Sequence, residues 1–138
     1  MVKKRKTVIG IGKRKKAVAR ANISEGNGKV RINSVPLDLI EPKYKRMRIK
    51  EALLIAGDLI NSVNISVIVR GGGCWGQADA ARTAISNGLV KWNKSNTLKK
   101  MYLKYDRSLL ISDARRTEPH KPSRSSAGPR RSKQQSKR

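Results

Sequence analysis

The sequence has a single cysteine and a single histidine, Cys74 and His120. One cysteine cannot form an internal disulfide bond, and one cysteine with one histidine is too small a set for a structural zinc site. No candidate base lies close to Cys74 in the sequence, so we interpret it as an unreactive small side chain. We therefore expect no metal and no cofactor.

Acidic residues are also scarce. The chain of 138 residues has 9 Asp and Glu against 33 Lys and Arg, which gives a formal net charge of +24 and a pI of about 11.2. A short chain with this charge repels itself in isolation but is stabilised beside a polyanion, where each cation placed on a phosphate releases a counterion. Nucleic acid and an anionic membrane surface are the two candidate partners.

No apolar run is long enough to cross a bilayer, which takes about 20 residues. The longest run is Ala52–Ala56, and no signal-peptide pattern precedes it. These absences favour nucleic acid over a membrane and predict a cytoplasmic protein.

Aromatic residues are few as well, with no Phe, two Trp and three Tyr. An RRM or OB domain reads single-stranded bases by stacking them on aromatic side chains, so neither fits this composition. No helix-turn-helix pattern is present and a zinc finger is impossible. What remains is binding to the phosphate backbone of a structured nucleic acid by its shape.

The basic residues concentrate at the two ends of the chain. Residues 1–20 contain nine basic and no acidic residues, and residues 114–138 contain nine basic residues and one acid. We predict an α+β RNA-binding domain over residues 1–113, with a basic N-terminal segment, followed by an extended basic tail over 114–138. The tail has two apolar residues, Ala114 and Ala127, so alone it should be disordered. It is either an arm that orders on nucleic acid or a solubilising linker.

Three strands are predicted in the first 33 residues. Thr7–Gly12 reads as a short strand, and Lys16–Ile23 reads as its continuation beyond a basic knot. Glu25–Gly28 is a strong turn signal. Lys29–Asn33 alternates, with Val30 and Ile32 inward. A hairpin between the second and third strands is predicted, with Arg and Lys on its solvent face.

Two helices and one more strand are predicted after Pro42, and the segment 98–106 has two interpretations. Arg48–Ile60 has apolar residues at helical spacing and is ended or weakened by Gly57. Val63–Arg70 returns to a period of two, and Ile68 on its second side suggests partial cover there. A helix with small residues follows over 77–92. The segment 98–106 is a further short helix, or else its tyrosines cover the edge of the core.

Gly71–Gly76 satisfies the G-x-G-x-x-G pattern of a dinucleotide-binding turn. That fold needs an acidic residue about 20 positions further on and a second parallel strand. No Asp or Glu occurs between Arg82 and Tyr105, and no strand is predicted there. No P-loop lysine and no catalytic triad can be assembled either. We predict that the protein is not an enzyme and has no small-molecule substrate, and that the glycines and the helix start suit an RNA phosphate.

Three segments occur together in a recognisable order: Gly12–Asn33, Gly71–Ile85 and Asp106–Pro122, followed by a basic C-terminus. Jointly they resemble the family of the ninth protein of the small ribosomal subunit, in its archaeal branch. The resemblance implies a small α+β domain of the ribosomal protein domain 2-like class: a small mixed sheet, helices on one face, and a left-handed βαβ crossover.

The same resemblance implies the partners and the residues that bind them. The partners are small-subunit ribosomal RNA, neighbouring proteins of the subunit head, and peptidyl-site tRNA reached by the tail. The residues expected to contact ribosomal RNA are Lys13, Arg14, Lys15, Lys16, Arg20, Arg70, Gly71, Gly72, Gly73, Gln77, Arg82, Arg107, Arg115, Arg116, Lys121, Arg124, Arg130, Arg131 and Lys133. Those expected to contact tRNA are Lys137 and Arg138. The alternative function is a non-ribosomal nucleic-acid-binding protein of low sequence specificity.

Overall fold

The computed structural model of the protein describes residues 6–120. It contains five strands, three α-helices and three short 3-10 helices. The strands are β1 (Thr7–Arg14), β2 (Ala17–Glu25), β3 (Val30–Ile32), β4 (Val35–Pro36) and β5 (Val63–Arg70). The α-helices are α1 (Lys43–Ala56), α2 (Cys74–Asn93) and α3 (Asn96–Tyr105), and the 3-10 helices span Leu37–Leu39, Gly57–Ser62 and Arg107–Leu109.

The strands form one mixed sheet in the order β1-β2-β5-β3-β4. The pairs β1/β2, β2/β5 and β3/β4 are antiparallel, and β3/β5 is parallel. The chain passes from β3 to its parallel neighbour β5 through β4 and α1, which makes a βαβ unit. This architecture confirms the predicted α+β class.

The predicted hairpin between the second and third strands is wrong, because β5 lies between them. Ile23 of β2 is paired with Ile65 of β5, and Ile65 is paired on its other side with Val30 of β3. The glycine turn binds the start of β5: Gly26 N–H donates to Ser62 O at 3.1 Å and Gly28 N–H to Val63 O at 3.0 Å. These bonds direct the chain past β5 rather than back onto β2.

The second predicted strand is likewise a partner of the first rather than its continuation. The chain reverses at Lys15, which has a positive φ of 51°, so that Arg14 is paired with Ala17 in an antiparallel hairpin. The basic residues between the two strands therefore form the tip of the hairpin.

The core lies between one face of the sheet and the helices. Alternate residues of β5, from Val63 to Val69, are buried, as are the small residues of β2, and they meet Ile49, Ala52 and Leu53 of α1 and the apolar face of α2. The boundaries predicted for β5 are confirmed. Helix α1 begins five residues earlier than predicted, directly after Pro42. Of the predicted range up to Ile60, the α-helix reaches only Ala56, because Gly57 ends it with φ of 59° and a 3-10 helix follows.

Helix α2 packs directly on the backbone of β1. A Cβ atom placed on Gly12 would lie 2.1 Å from Ala80 O, and one placed on Gly10 would lie 2.1 Å from Ala84 O. Only glycine in the strand and small residues in the helix allow this approach. The predicted close packing of Ala80, Ala84 and Gly88 is confirmed, and its partner is β1.

Helix α3 packs against α1 and α2. Its Tyr102 is buried and donates a hydrogen bond to Ala52 O at 2.8 Å, whereas Tyr105 is exposed. Ser95 caps the helix by accepting from Thr97 N–H at 3.1 Å. The segment is therefore a helix, and one of its tyrosines also completes the core.

Both edges of the sheet carry features that limit further strand pairing. On β1, the carbonyl oxygen of Ile11 accepts from Asn87 Nδ2 at 3.1 Å and that of Ile9 from Lys91 Nζ at 3.4 Å. At the other edge β4 is two residues long and includes Pro36, which has no N–H to donate.

Candidate nucleic-acid interface

The face of the sheet opposite the helices is open. Ile9 and Ile11 of β1, Val18 of β2 and Ile68 of β5 all point to this side, and Ile68 is 56% exposed. The predicted partial cover over Ile68 is therefore wrong for the described part of the chain. Successive side chains of a strand point to opposite faces of the sheet. The residues of β1, β2 and β5 that alternate with the buried ones therefore share this surface.

Basic side chains alternate with the aliphatic ones on this open face. Strand register puts Lys13, Val18 and Arg70 in one row, and Ile11, Arg20 and Ile68 in the next. Arg20 and Arg70 also line a shallow groove of about 350 Å³. None of the residues of β1, β2 and β5 that point to this side is acidic. We call this surface, Lys13, Arg20, Arg70 and the aliphatic residues between them, the basic sheet face.

The hairpin tip at Lys15 and Lys16 adjoins one end of the basic sheet face, and the glycine run lies against it. Gly71 and Gly72 have φ of 76° and 68°, which favour glycine. A Cβ atom on Gly71 would lie 2.5 Å from Lys16 O, so the turn between β5 and α2 touches the hairpin backbone. The structure thus brings residues 13, 15 and 16 together with residues 70–73.

Helix α2 begins in this same place. Gly73 is its N-cap residue and provides no side chain to accept from the first amides, and a Cβ atom there would meet nothing within 4 Å. Gln77 Nε2 donates to Gly71 O at 3.2 Å and holds the turn on the helix. The free amides and the helix dipole favour an anion at this end.

Four arginines belong to a row of ion pairs, which we call the ion-pair chain. Arg14, Arg82 and Arg115 are among the residues predicted to contact RNA, and Arg48 is their neighbour. Arg115 contacts Asp113 at 2.7 Å, Asp113 contacts Arg14 at 2.7 Å, and Arg14 contacts Asp79 at 3.8 Å. Arg48 then joins Asp79 at 3.0 Å to Glu51 at 3.2 Å. Arg82 closes the chain, at 2.5 Å from Glu51 and 3.1 Å from Asp106.

The ion-pair chain alternates four arginines with four acids, so its formal charge is zero. Arg82 is 2% exposed and also donates to Ser108 Oγ at 2.6 Å. Its contact with RNA stays a prediction. In the described residues its charge is paired with acids inside the protein, between α1, α2 and the 3-10 helix at 107–109. Arg14, with 17% of its side chain exposed, is paired with Asp113 and Asp79 in a similar way, whereas Arg115 pairs with Asp113 but keeps 81% of its side chain exposed.

The shifted pKa values of Asp113, Asp106 and Arg48, which all belong to the ion-pair chain, follow from these contacts. Hydrogen bonds from the side chain and backbone N–H of Arg115 lower the pKa of Asp113 to about 2, and the Arg14 charge adds to this. Burial acts to raise the pKa of Asp106, but hydrogen bonds from Ser108 and Arg82 outweigh it and lower the value. Burial disfavours the charged form of Arg48, yet contacts with Asp79 and Glu51 raise its pKa.

The remaining predicted residues fall into two groups. Arg107 and Arg116 are exposed, and Arg116 Nη1 donates to Lys15 O. The rest lie outside the described residues: Lys121, Arg124, Arg130, Arg131, Lys133, Lys137 and Arg138. The residues predicted to contact RNA did not include Arg31, which lies on the open face of β3 beside Ser66. Its outward position in an alternating strand was the available signal.

Two features of residues 6–120 bear on other functions. No group of His, Cys, Asp and Glu in this range could hold a metal ion. No helix in it is long and apolar enough to cross a membrane.

Comparisons with known proteins agree with one another. Residues 12–138 match the profile of a family described as ribosomal protein S9/S16. The chain is 52% identical over 131 residues to a protein named small ribosomal subunit protein uS9 from Methanococcus vannielii, which covers 95% of this chain and 98% of the relative. It is 50% identical, with the same coverage, to the protein of that name from Methanococcus maripaludis strain C7.

Proposed function

The chain belongs to the ribosomal protein S9/S16 family, and from this premise we propose that it is a structural component of the small ribosomal subunit that binds ribosomal RNA through its basic sheet face. Its place is the small subunit in the cytoplasm, with neighbouring ribosomal proteins as further partners. The role is one of scaffolding and involves no catalysis.

One observation carries this proposal: Lys13, Arg20 and Arg70 converge on a surface without acids, next to the bare turn at Gly71–Gly73. Cations at this spacing suit the phosphates of a folded RNA, and the amides that begin α2 suit another phosphate. The aliphatic rows between the cations suit riboses and base edges. The ion-pair chain contributes no net charge, so its four arginines add little to the attraction of RNA.

The test is the double variant Arg20→Ala with Arg70→Ala, measured by binding of the full chain to small-subunit ribosomal RNA at several salt concentrations. Each phosphate contact contributes about 0.7–0.9 to the slope of log affinity against log salt. We expect the double variant to bind more weakly and to lower that slope by roughly 1.5.

The matched control is Lys99→Ala with Lys100→Ala, which removes the same charge from exposed positions of α3. An equal loss in the control would show that only total charge matters. That result, or unchanged binding in the double variant, would remove the sheet face as the RNA site. Migration with small subunits through a sucrose gradient at high salt then separates a fixed ribosomal place from low-specificity binding.

We further propose that the tail follows ribosomal RNA and that Lys137 and Arg138 contact peptidyl-site tRNA. The family resemblance and the cationic end of the chain support this role. Small subunits carrying Lys137→Ala with Arg138→Ala should assemble normally and release peptidyl-site tRNA faster. Gln134→Ala with Gln135→Ala is the control of equal length. Unchanged tRNA release in the first variant would contradict the contact.

A further inference from the structure

The junction between the domain and the tail is attached to the folded domain. We call residues 113–116, the last residue of the domain and the first three of the tail, the tail root. They form no helix or strand, yet Asp113 Oδ2 lies 2.7 Å from Arg14 Nη1 at the end of β1, and Arg116 Nη1 donates to Lys15 O in the hairpin tip. Two separate contacts therefore join the root to the same hairpin.

Both sides of the Asp113–Arg14 pair are themselves held in place. On the domain side, Arg14 is mostly buried and also approaches Asp79 of α2, which Arg48 of α1 binds at 3.0 Å. On the tail side, Asp113 accepts from Arg115 N–H at 2.9 Å and from Arg115 Nε at 2.8 Å. The carboxylate of Asp113 thus shapes the root and contacts β1 through Arg14, which in turn is paired with Asp79 of α2.

We propose that Arg14 and Asp113 are positioning residues that fix where the C-terminal tail leaves the domain before any RNA is bound. The contact sets the direction of the root, and its value for translation rests on the proposed tRNA contact. The 22 residues from Thr117 to Arg138 span at most about 75 Å when fully extended. A free root would spread the end of such a segment through a large volume, whereas a fixed root raises its effective concentration near one target.

Asp113 is an acid at the start of an otherwise basic region. It stands two residues before Arg115 and three before Arg116 and contacts Arg14 and Arg115, so it neutralises cations that would repel one another at the tail root. The pair also gives Arg14 a role other than RNA contact.

The test uses the full chain without RNA and its single, exposed cysteine, Cys74. This residue begins α2 close to the hairpin, since a Cβ atom on Gly76 would lie 3.5 Å from Arg14 O. A nitroxide on Cys74 should broaden the amide signals of residues 114–117 by paramagnetic relaxation. In Asp113→Asn we expect these relaxation rates to fall at least about twofold as the root gains motion.

Two further variants make the result specific. Arg14→Gln should give the same fall, and its combination with Asp113→Asn should give no further fall, because both remove one contact. Asp38→Asn is the matched control, since it removes the same charge from an exposed pair with Lys50 at 2.6 Å and should leave the rates unchanged. Weak broadening in the native protein, or native rates in Asp113→Asn, would overturn the proposal.

Ribosomes containing Asp113→Asn test the consequence for translation. We expect faster release of peptidyl-site tRNA, in the same direction as Lys137→Ala with Arg138→Ala. If the tail-end variant releases tRNA faster and Asp113→Asn does not, the positioning role is overturned. If neither changes release while the relaxation data show the attachment, the tRNA contact is wrong and the attachment stands.

Discussion

Arg82 and Arg20 have the same side chain but lie in opposite environments. Arg82 is surrounded by Glu51, Asp106 and Ser108 and is nearly inaccessible to solvent, whereas Arg20 is exposed among aliphatic residues on the basic sheet face. A buried charge is tolerated because its partners compensate for lost hydration. We therefore expect removal of Arg82 to affect stability first, and removal of Arg20 to affect the proposed RNA binding first.

This difference gives a prediction for Arg82→Met, which keeps most of the side-chain volume. The change leaves Glu51 and Asp106 without their shared cation, so we expect the free energy of unfolding to fall by about 3 kcal/mol. Urea denaturation of the full chain measures it. Arg20→Met is the control and should stay within about 0.5 kcal/mol of the native protein. Equal effects of the two changes would contradict the structural role of Arg82.

The acids of the ion-pair chain predict the response to pH. The pKa of Asp113 is lowered to about 2 and that of Asp106 is also lowered. Both groups have depressed values in the folded state, so their stabilisation is present above the usual value of 3.8 and is lost as the pH falls through the folded values. Thermal unfolding between pH 5 and about 2 should show this loss, and Asp113→Asn should flatten it. An unchanged profile in that variant would argue against the Asp113 contacts.

Individual roles were only partly accessible from sequence. The alternation in β1, β2 and β5 is sufficient to place Lys13, Arg20 and Arg70 on one side of their strands. Nothing local distinguishes Arg82 from them, because its partners are 24 and 31 residues away in the chain. Buried arginines of this kind are found only when the acids of other elements are located.

At the scale of elements, the approach of α2 to β1 determines the thickness of the domain beneath the basic sheet face. Gly10 and Gly12 face Ala80, Ala84 and Gly88 with backbone in contact with backbone. The helix begins after Gly71–Gly73, beside the hairpin tip, so its packing on β1 also holds its N-terminal end in position. A side chain added at Gly10 or Gly12 would push the backbone of α2 away from β1.

We therefore expect Gly12→Ala to destabilise the protein by about 2 kcal/mol or more, because the added methyl would overlap helix backbone rather than a movable side chain. Chemical denaturation gives the value. Gly73→Ser is a suitable comparison, since its added atoms meet open space and serine is a favoured N-cap residue. Its stability should equal or exceed that of the native chain. A mild effect of Gly12→Ala would mean that α2 can move outward freely.

The elements themselves were largely predictable, and their arrangement was less so. The period of two over Val63–Arg70 and the helical period over 77–92 identify β5 and the body of α2. The turn at Glu25–Gly28 gives a hairpin signal, but Asn64 Oδ1 accepts from Asn27 N–H at 3.0 Å and Lys29 N–H at 3.1 Å. The side chain of Asn64, at least 35 residues away, thus sets the path of the backbone after β2. The local sequence pattern gives no signal of this contact.

For the whole molecule, the charge of +24 is distributed very unevenly. Four of the nine acids lie in the ion-pair chain, where they neutralise four arginines inside or at the base of the domain. Most of the remaining cations lie on the basic sheet face, in the hairpin tip, on the outer surfaces of α1 and α3 and near the two ends of the sequence. Free of RNA, these cations repel one another and lower stability.

Screening should accordingly stabilise the free protein. We expect its melting temperature to rise by a few degrees when the salt concentration increases from about 10 to 200 mM, and to rise further with short RNA or another polyanion. Calorimetry at constant pH provides the measurement. A melting temperature that falls with added salt would mean that the ion-pair chain outweighs the repulsion between surface cations.

The side chains that close the outer edge of β1 have a consequence for the time between synthesis and assembly. A newly made subunit protein exists alone before it meets its RNA. During this time the aliphatic residues of the basic sheet face are open to solvent. An unprotected edge strand next to such a face would recruit strands from other copies and lead to aggregates. Asn87 and Lys91 donate hydrogen bonds to the carbonyl oxygens of Ile11 and Ile9, and Pro36 has no N–H to offer at the other edge. The same residues that finish the sheet therefore keep the unassembled protein available for the ribosome.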